Sequence, residues 1–241
     1  MKKYTIVNDE QLDDKLKEAA DAIRSRTGKT EKLDFLAGDF KTEVEELVNK
    51  EDYLAAVMNR QCTELVNTKM TGTAPKEWQN GNKNLTRVDL PNITKLDSNA
   101  FASCTNLTSV KFPKVTETAG GAISGTAITS LYMPALERVT GWGYDFSSCT
   151  KLTKAYFPKL TVLTGYALAG NGNMTTLIFG AGQVCSIAST TLNNTAIAYG
   201  TGYVYVPKSL VDSYKTNSVW SAYANQIIAI EDSPEVLNGW E

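Results

Sequence analysis

The stretch NLTRVDLPNITKL, Asn84 to Leu96, decides the fold because the chain repeats it: NLTSVKFPKVTET from Asn106, AITSLYMPALERV from Ala127, KLTKAYFPKLTVL from Lys151 and NMTTLIFGAGQVC from Asn173. A period in the low twenties marks a solenoid, in which each repeat buries its apolar face only against its neighbours. The anchors Leu85, Leu107, Ile128, Leu152 and Met174 are followed three places on by Val88, Val110, Leu131, Ala155 and Leu177. Five places on come Leu90, Phe112, Met133, Phe157 and Phe179. These last two sets are two residues apart, so they share one face of a short strand. Four copies then place a proline, at Pro91, Pro113, Pro134 and Pro158, which ends pairing because it brings no backbone donor.

Working outward, the repeats run from Asn84 to about residue 206, where YVYVP aligns Val204, Val206 and Pro207 with Val88, Leu90 and Pro91. Beyond Pro207, SLVDSYK and SVWSAYANQ read as short helices and IIAI as a last strand, the atypical end that keeps a repeat core from lying open to solvent. At the front, Leu12, Leu16, Ala19, Ala20 and Ile23 fall on one face of a helix over residues 9–26, which Asp9 can cap and Gly28 ends. A second helix is expected from Asp39, carrying Phe40, Val44, Leu47, Leu54, Val57, Met58 and Leu65. Its approximate heptad, interrupted by Glu51 and Gln61, fits either an oligomer seam or packing on the first repeat or a hairpin partner. The resulting division is residues 1–70 helical, 71–83 a turn-rich linker, 84–206 solenoid and 207–241 cap and tail, an α+β chain of about five to six short-strand repeats.

Composition narrows the chemistry. The 241 residues contain no histidine, which removes Ser-His-Asp and Cys-His catalysis and His-ligated metal sites. The four cysteines, Cys62, Cys104, Cys149 and Cys185, form no CxxC pair. Cys104 and Cys149 close the equivalent segments AFASC and DFSSC and are expected in a buried column as small apolar thiols. TGKT at Thr27 lacks the glycine five places before Gly28 that a phosphate loop needs. A net charge of -2 gives no case for nucleic acid, and no apolar run is long enough to span a membrane. The N-terminus shows no secretory h-region or cleavage site. No catalytic residue, metal ligand or cofactor is expected. The acceptor triplets at Asn84, Asn92, Asn106, Asn173 and Asn193 recur because the repeat recurs and read as turn and cap residues.

The unit carried by Asn84 to Cys104 and onward, with anchor, strand, proline and cysteine in step, resembles the BspA-like bacterial leucine-rich repeats. The resemblance covers about Asn84 to Pro207; it departs where GWGYDF lengthens the third repeat and where Gly180 replaces proline in the fifth. It implies a surface or adhesive binding module. The segment LKEAADAIRSRTGKTEKLDFLAGDFKTEVEEL is similar to leaders found in prophage tail and structural proteins of Gram-positive bacteria, which implies a virion component held together as a homo-oligomer by its front helices. A bacterial cell-surface adhesin is the alternative. Either location, virion or cell surface, follows from resemblance.

Strand alternation exposes two columns. One runs Asp89, Lys111, Tyr132, Tyr156, Ile178 and Tyr205; its neighbour runs Arg87, Ser109, Ser130, Lys154, Thr176 and Tyr203. The candidate surface for a protein or glycan ligand is therefore Tyr132, Tyr156, Ile178, Tyr203 and Tyr205, joined by Trp142 and Tyr144 from the GWGYDF insertion. The same column reads equally as a ladder that stabilises the sheet by stacking.

Overall fold

The computed structural model describes residues 60–140 and 143–240. Strands alternate between two faces of a coil and all pair in parallel. One face holds β1 (Glu64–Val66), β3 (Arg87–Asp89) and β5 (Ser109–Lys111), then β7 (Ser130–Tyr132), β9 (Lys154–Phe157), β11 (Thr176–Phe179), β13 (Tyr203–Val206) and β14 (Ile227–Ala229). The other holds β2 (Gly72–Ala74), β4 (Ile93–Leu96), β6 (Glu117–Ala119), β8 (Arg138–Thr140), β10 (Val162–Leu163) and β12 (Ser186–Ile187). This is a leucine-rich repeat solenoid of about seven turns with few helices.

The repeat columns form the core as their spacing requires. Val88 and Leu90, Leu131 and Met133, Ala155 and Phe157, and Leu177 and Phe179 are all buried. Phe146, Phe157 and Phe179 follow one another through the interior at centroid distances of 5.6 and 6.2 Å. Polar repeat positions close the ladder between turns. Thr86 Oγ1 donates to the Thr63 carbonyl, Thr108 to Thr86, Thr153 to Thr129 and Thr175 to Thr153. Asn106 and Asn173 donate to the carbonyls of Lys83 and Thr150 in the preceding turn. The recurring Asn-Leu-Thr is thus a backbone-satisfying device, which a buried or edge carbonyl needs.

The cysteine column is real and mixed. Cys104 and Cys149 share it with Asn82, Thr126, Asn171 and Thr195, all buried. Cys104 Sγ donates to the Gln79 carbonyl at 3.0 Å, Cys149 Sγ to Ile123 at 3.4 Å and Asn171 Nδ2 to Phe146 at 2.9 Å. Each of these three side chains satisfies a carbonyl of the turn before. All four cysteines are free and buried. Burial raises every thiol, Cys104 to about 11. Ellman's reagent is accordingly expected to leave the native protein unlabelled over hours and to titrate four thiols after denaturation; rapid labelling of the native chain would contradict this packing.

Three expectations need correction. The solenoid begins before Asn84: β1 pairs with β3 and β2 with β4, so residues 71–83 are the turn of an additional repeat rather than a linker. Leu65 lies on β1, buried, and not on a helix. The repeat escaped recognition because Cys62 fills the leucine anchor, Asn67 stands in the position of Leu90, and Gln79 in that of Phe101. The exposed column is also not continuous, since β5 and β7 belong to separate sheets. The anchor step from Leu107 to Ile128 is one residue shorter than that from Leu85 to Leu107, and the ladder breaks there, leaving Val110 partly exposed. The rest of both expected front helices falls in residues 1–59, outside the described residues.

The C-terminal end is sealed by a 3-10 turn at Lys208–Leu210, the helix α1 (Val211–Thr216), a second 3-10 stretch at Trp220–Gln226, and β14. Tyr214 and Trp220 are fully buried against Phe179, at 6.4 and 5.6 Å between centroids. Their polar tips meet one residue: the Cys185 N–H donates to Tyr214 Oη at 2.8 Å, and Trp220 Nε1 donates to the Cys185 carbonyl at 2.7 Å. Two large aromatics can therefore enter the core without leaving a polar atom unmet.

Candidate functional site

The structure divides the sequence candidates between two places. Tyr132 and Tyr156 stack at 5.4 Å with planes 17° apart, as strand register demands. Tyr203 and Tyr205 lie further along the same face, their centroids 6.5 Å apart; Tyr203 is exposed and Tyr205 half-buried. Ile178, between Tyr156 and Tyr205, is fully buried. What covers this face is the chain's own C-terminal segment. Trp240 lies 6.0 Å from the Tyr132 ring and 5.7 Å from that of Tyr156, and Lys154 Nζ sits 4.4 Å from the indole centroid.

Trp240 is 8% exposed, its Nε1 donating to the Val236 carbonyl at 2.7 Å. Upstream, Lys208 fastens the segment through its N–H to Glu231 and its ammonium to Asp232. Burial and the neighbouring Tyr132 raise the Tyr156 hydroxyl above its ordinary value. Trp240→Ala should cost roughly 1–2 kcal/mol from lost ring and cation contacts. It should also render Tyr156 open to nitration by tetranitromethane. Unchanged denaturation and unchanged nitration would remove the strap from the account of this face.

At the start of the same face, Asp89 is engaged within the chain, its carboxylate 3.1 Å from Arg87, which also reaches Glu64 at 3.7 Å. The opposite face carries Lys95, Glu117 and Arg138 in adjacent rungs, with Lys95–Glu117 at 2.8 Å. Surface pairs of this kind contribute little to stability and leave a mixed-charge surface.

The second place is the turn edge between the two faces. Tyr144 stacks on Tyr166 with centroids 5.2 Å apart and planes 6° from parallel, and both rings are exposed, at 47% and 38%. Tyr144 borders a groove of about 550 Å³ with Lys76, Glu77, Ser98, Asn99, Gly120, Gly121, Ser124 and Ser147. Backbone hydrogen bonds fix the register here: Asn99 N–H to the Gly120 carbonyl, Ile123 to Asp145 and Phe146 to Ala167. Glu77, Asn99, Gly121, Tyr144 and Tyr166 are thereby equivalent positions in five successive turns. Gly143, at φ 67°, allows the insertion to hug the next turn, where a Cβ would overlap the Thr164 carbonyl.

Tyr166 was missed by the strand-based reading because it does not lie on a strand. Its signal was nonetheless present, since GYAL at Gly165 repeats GYDF at Gly143. Trp142 lies outside the described residues. Beneath Tyr144, Asp145 is fully buried, with Ala122 and Ala167 at the equivalent positions of the turns on either side. Neither carboxylate oxygen has a hydrogen bond of good geometry. Burial drives its pKa up to about 6, although Thr118 and the backbone N–H groups of Gly121 and Ala122 stand near enough to pull it part of the way back. Among the described residues no three His, Cys, Asp or Glu side chains group as metal ligands, and no helix is long and apolar enough to cross a membrane.

The model of the BspA type leucine-rich repeat region matches residues 76–198 in six copies. The chain belongs to the BspA-type leucine-rich repeat family. The match begins at residue 76 and does not reach the front segment, for which the expected likeness to prophage proteins finds no support. The chain is similar to a leucine-rich repeat protein from Bacteroides ovatus at 17% identity and a TM-score of 0.44, over 64% of this chain and 42% of that one. This chain thus spans less than half the length of that protein. No curated protein matches the sequence.

Proposed function

We propose that the protein is a non-enzymatic recognition module that binds a protein or glycan through its repeat surface. The observation that carries this reading is the exposed Tyr144–Tyr166 stack at the mouth of the turn-edge groove. Soluble proteins leave large rings uncovered mainly where something else covers them, and a phenol combines a flat apolar body with a polar tip. A parallel solenoid supplies the rigidity, because adjacent turns are joined by strand pairing on at least one face. The tyrosine face of the sheet is the secondary surface, with its Tyr203 end open and its Tyr132–Tyr156 end under Trp240.

A surface setting follows the habit of the family: a phage or prophage tail-associated subunit if the front segment assembles, a bacterial adhesin if it does not. Light scattering of the full-length chain separates these, an oligomer supporting the first and a monomer the second. The binding reading itself is tested by probing arrays of glycans and extracellular proteins with the full chain and with a Tyr144→Ala, Tyr166→Ala double variant. Retention by the parent and loss in the variant is the expected result. Absence of any retained ligand, or retention indifferent to both tyrosines and to Tyr203, would overturn the assignment.

A further inference from the structure

The turn-edge column has a missing rung, and we propose that it is the seat of a flat, neutral, hydroxyl-rich ring, a pyranose of an oligosaccharide. This rests on the binding reading above and names its ligand class. In the equivalent positions Glu77, Asn99, Gly121, Tyr144 and Tyr166, one face of Tyr144 is covered by Tyr166 in a near-parallel stack. The position on its other side is Gly121, which brings no side chain. Neighbouring rungs of a parallel ladder are about 4.8 Å apart, so the free face of Tyr144 looks across the Gly121 backbone, where the Asn99 carboxamide reaches in at the height of a Cβ and the outer part of the phenol stays uncovered for a ring to stack on.

The surroundings of that gap are polar. Asn99 leans across Gly121, its Oδ1 standing where a Cβ on Gly121 would go, and Gly121 itself has φ 82°. Ser98, Ser124 and Ser147 line the same groove. Small hydroxyls and a carboxamide offer both donors and acceptors, which suits the alternating hydroxyls of a sugar edge, while its C–H face meets the aromatic ring. The groove's two charges, Lys76 and Glu77, are of opposite sign and lie at its far end, so nothing there favours an anion such as a phosphate or a nucleic acid.

The rung is also held stiffly. Gly143 brings the loop against Thr164, the Ile123 N–H bonds the Asp145 carbonyl at 2.9 Å, and the buried Asp145 side chain lies against Gly121 and Ala122. A stacking platform that is already in place before binding loses little freedom on capture.

The experiment is isothermal titration of the full-length protein with chitotetraose, cellotetraose, maltotetraose and xylotetraose. At least one should bind in the micromolar to millimolar range, with affinity falling about tenfold in Tyr144→Ala and several-fold in Asn99→Ala. Tyr199→Ala, at a 67% exposed tyrosine outside the groove, should bind as the parent does. Tyr144 is exposed, so its replacement leaves the core intact, and a matched melting point verifies that. Binding that persists unchanged in Tyr144→Ala and Asn99→Ala overturns the site while leaving the recognition reading standing. No heat from any of the four sugars at millimolar concentration overturns the ligand class, and the protein arrays then decide separately whether the groove recognises a polypeptide.

Discussion

Replacing Trp220 with alanine should destabilise the protein by about 3–5 kcal/mol, the range for removing a large buried aromatic side chain. The residue is fully buried, packs edge-on to Phe179 and Tyr214, and spends its only donor on the Cys185 carbonyl. Its loss opens a cavity at the C-terminal end, where the solenoid core would otherwise meet water, and strands an acceptor beside it. At roughly 2–4 °C per kcal/mol for a chain of this size, the melting point should fall on the order of 10 °C. Because repeat cores couple mainly to their neighbours, hydrogen exchange should rise first in β13, β14 and β11 and last in β3 and β5. A variant that melts with the parent, or that loses protection uniformly, would show that the C-terminal segment does not seal the core. Tyr214→Phe offers a milder comparison, leaving the Cys185 N–H unmet at a cost of about 1–3 kcal/mol.

Asp145→Asn should stabilise the protein at pH 8 by up to about 3 kcal/mol, the free-energy equivalent of raising a carboxyl from its ordinary 3.8 to about 6. The sign follows from proton binding. Between these two values the folded state holds a proton on Asp145 that the unfolded state has released, so stability declines as pH rises through the window. The parent has lost this contribution above pH 6 and retains it in full below 3.8. The amide is neutral throughout, hence the stability gap between variant and parent should be absent near pH 3, open from pH 4 to 6 and level off above. Unmet donors on the amide itself would trim the plateau without moving the window. Denaturation midpoints from pH 3 to 8 measure it. A gap independent of pH would mean that Asp145 does not titrate in that range.

The buried carboxylate also shows how a local sequence rule fails at a place with another duty. Its column is alanine in the turns on either side, and the patterning would have predicted a small apolar residue. It sits directly behind Tyr144 and beside the Gly121 backbone, where the insertion must be fixed to the neighbouring turn. Stability at neutral pH is reduced by its burial, while the loop bearing the exposed tyrosine pair is held in register.

The sequence was most informative where a residue's role repeats. Val88, Leu90 and their counterparts share a face because strands alternate, the four prolines mark strand ends because they cannot donate, and Cys104 and Cys149 had to stack because their segments are equivalent. It was least informative where one turn substituted other residue types for the usual ones. Cys62, Asn67 and Gln79 hid the first turn, although their packing and hydrogen bonds do the work of leucine and phenylalanine. The pairing of Tyr132 with Tyr156 could be read from register alone. That of Tyr144 with Tyr166 could have been, from the repeated Gly-Tyr.

By itself, then, the sequence determined the coil, its core columns and the alternation that sets two outward columns on each strand, because these depend only on spacing within and between adjacent repeats. Tertiary structure alone decided which outward surface is free. Trp240 comes to rest on Tyr132 and Tyr156, 108 and 84 residues away in the chain, and closes much of the face that alternation had left open. Whether a long-range contact forms depends on the path of the cap and on the bonds of Lys208 to Glu231 and Asp232, neither of which has any period to read. The Tyr144 groove stays open for the complementary reason: its insertion leaves the periodic pattern, and the missing side chain at Gly121 becomes a space only when the turns are stacked in register.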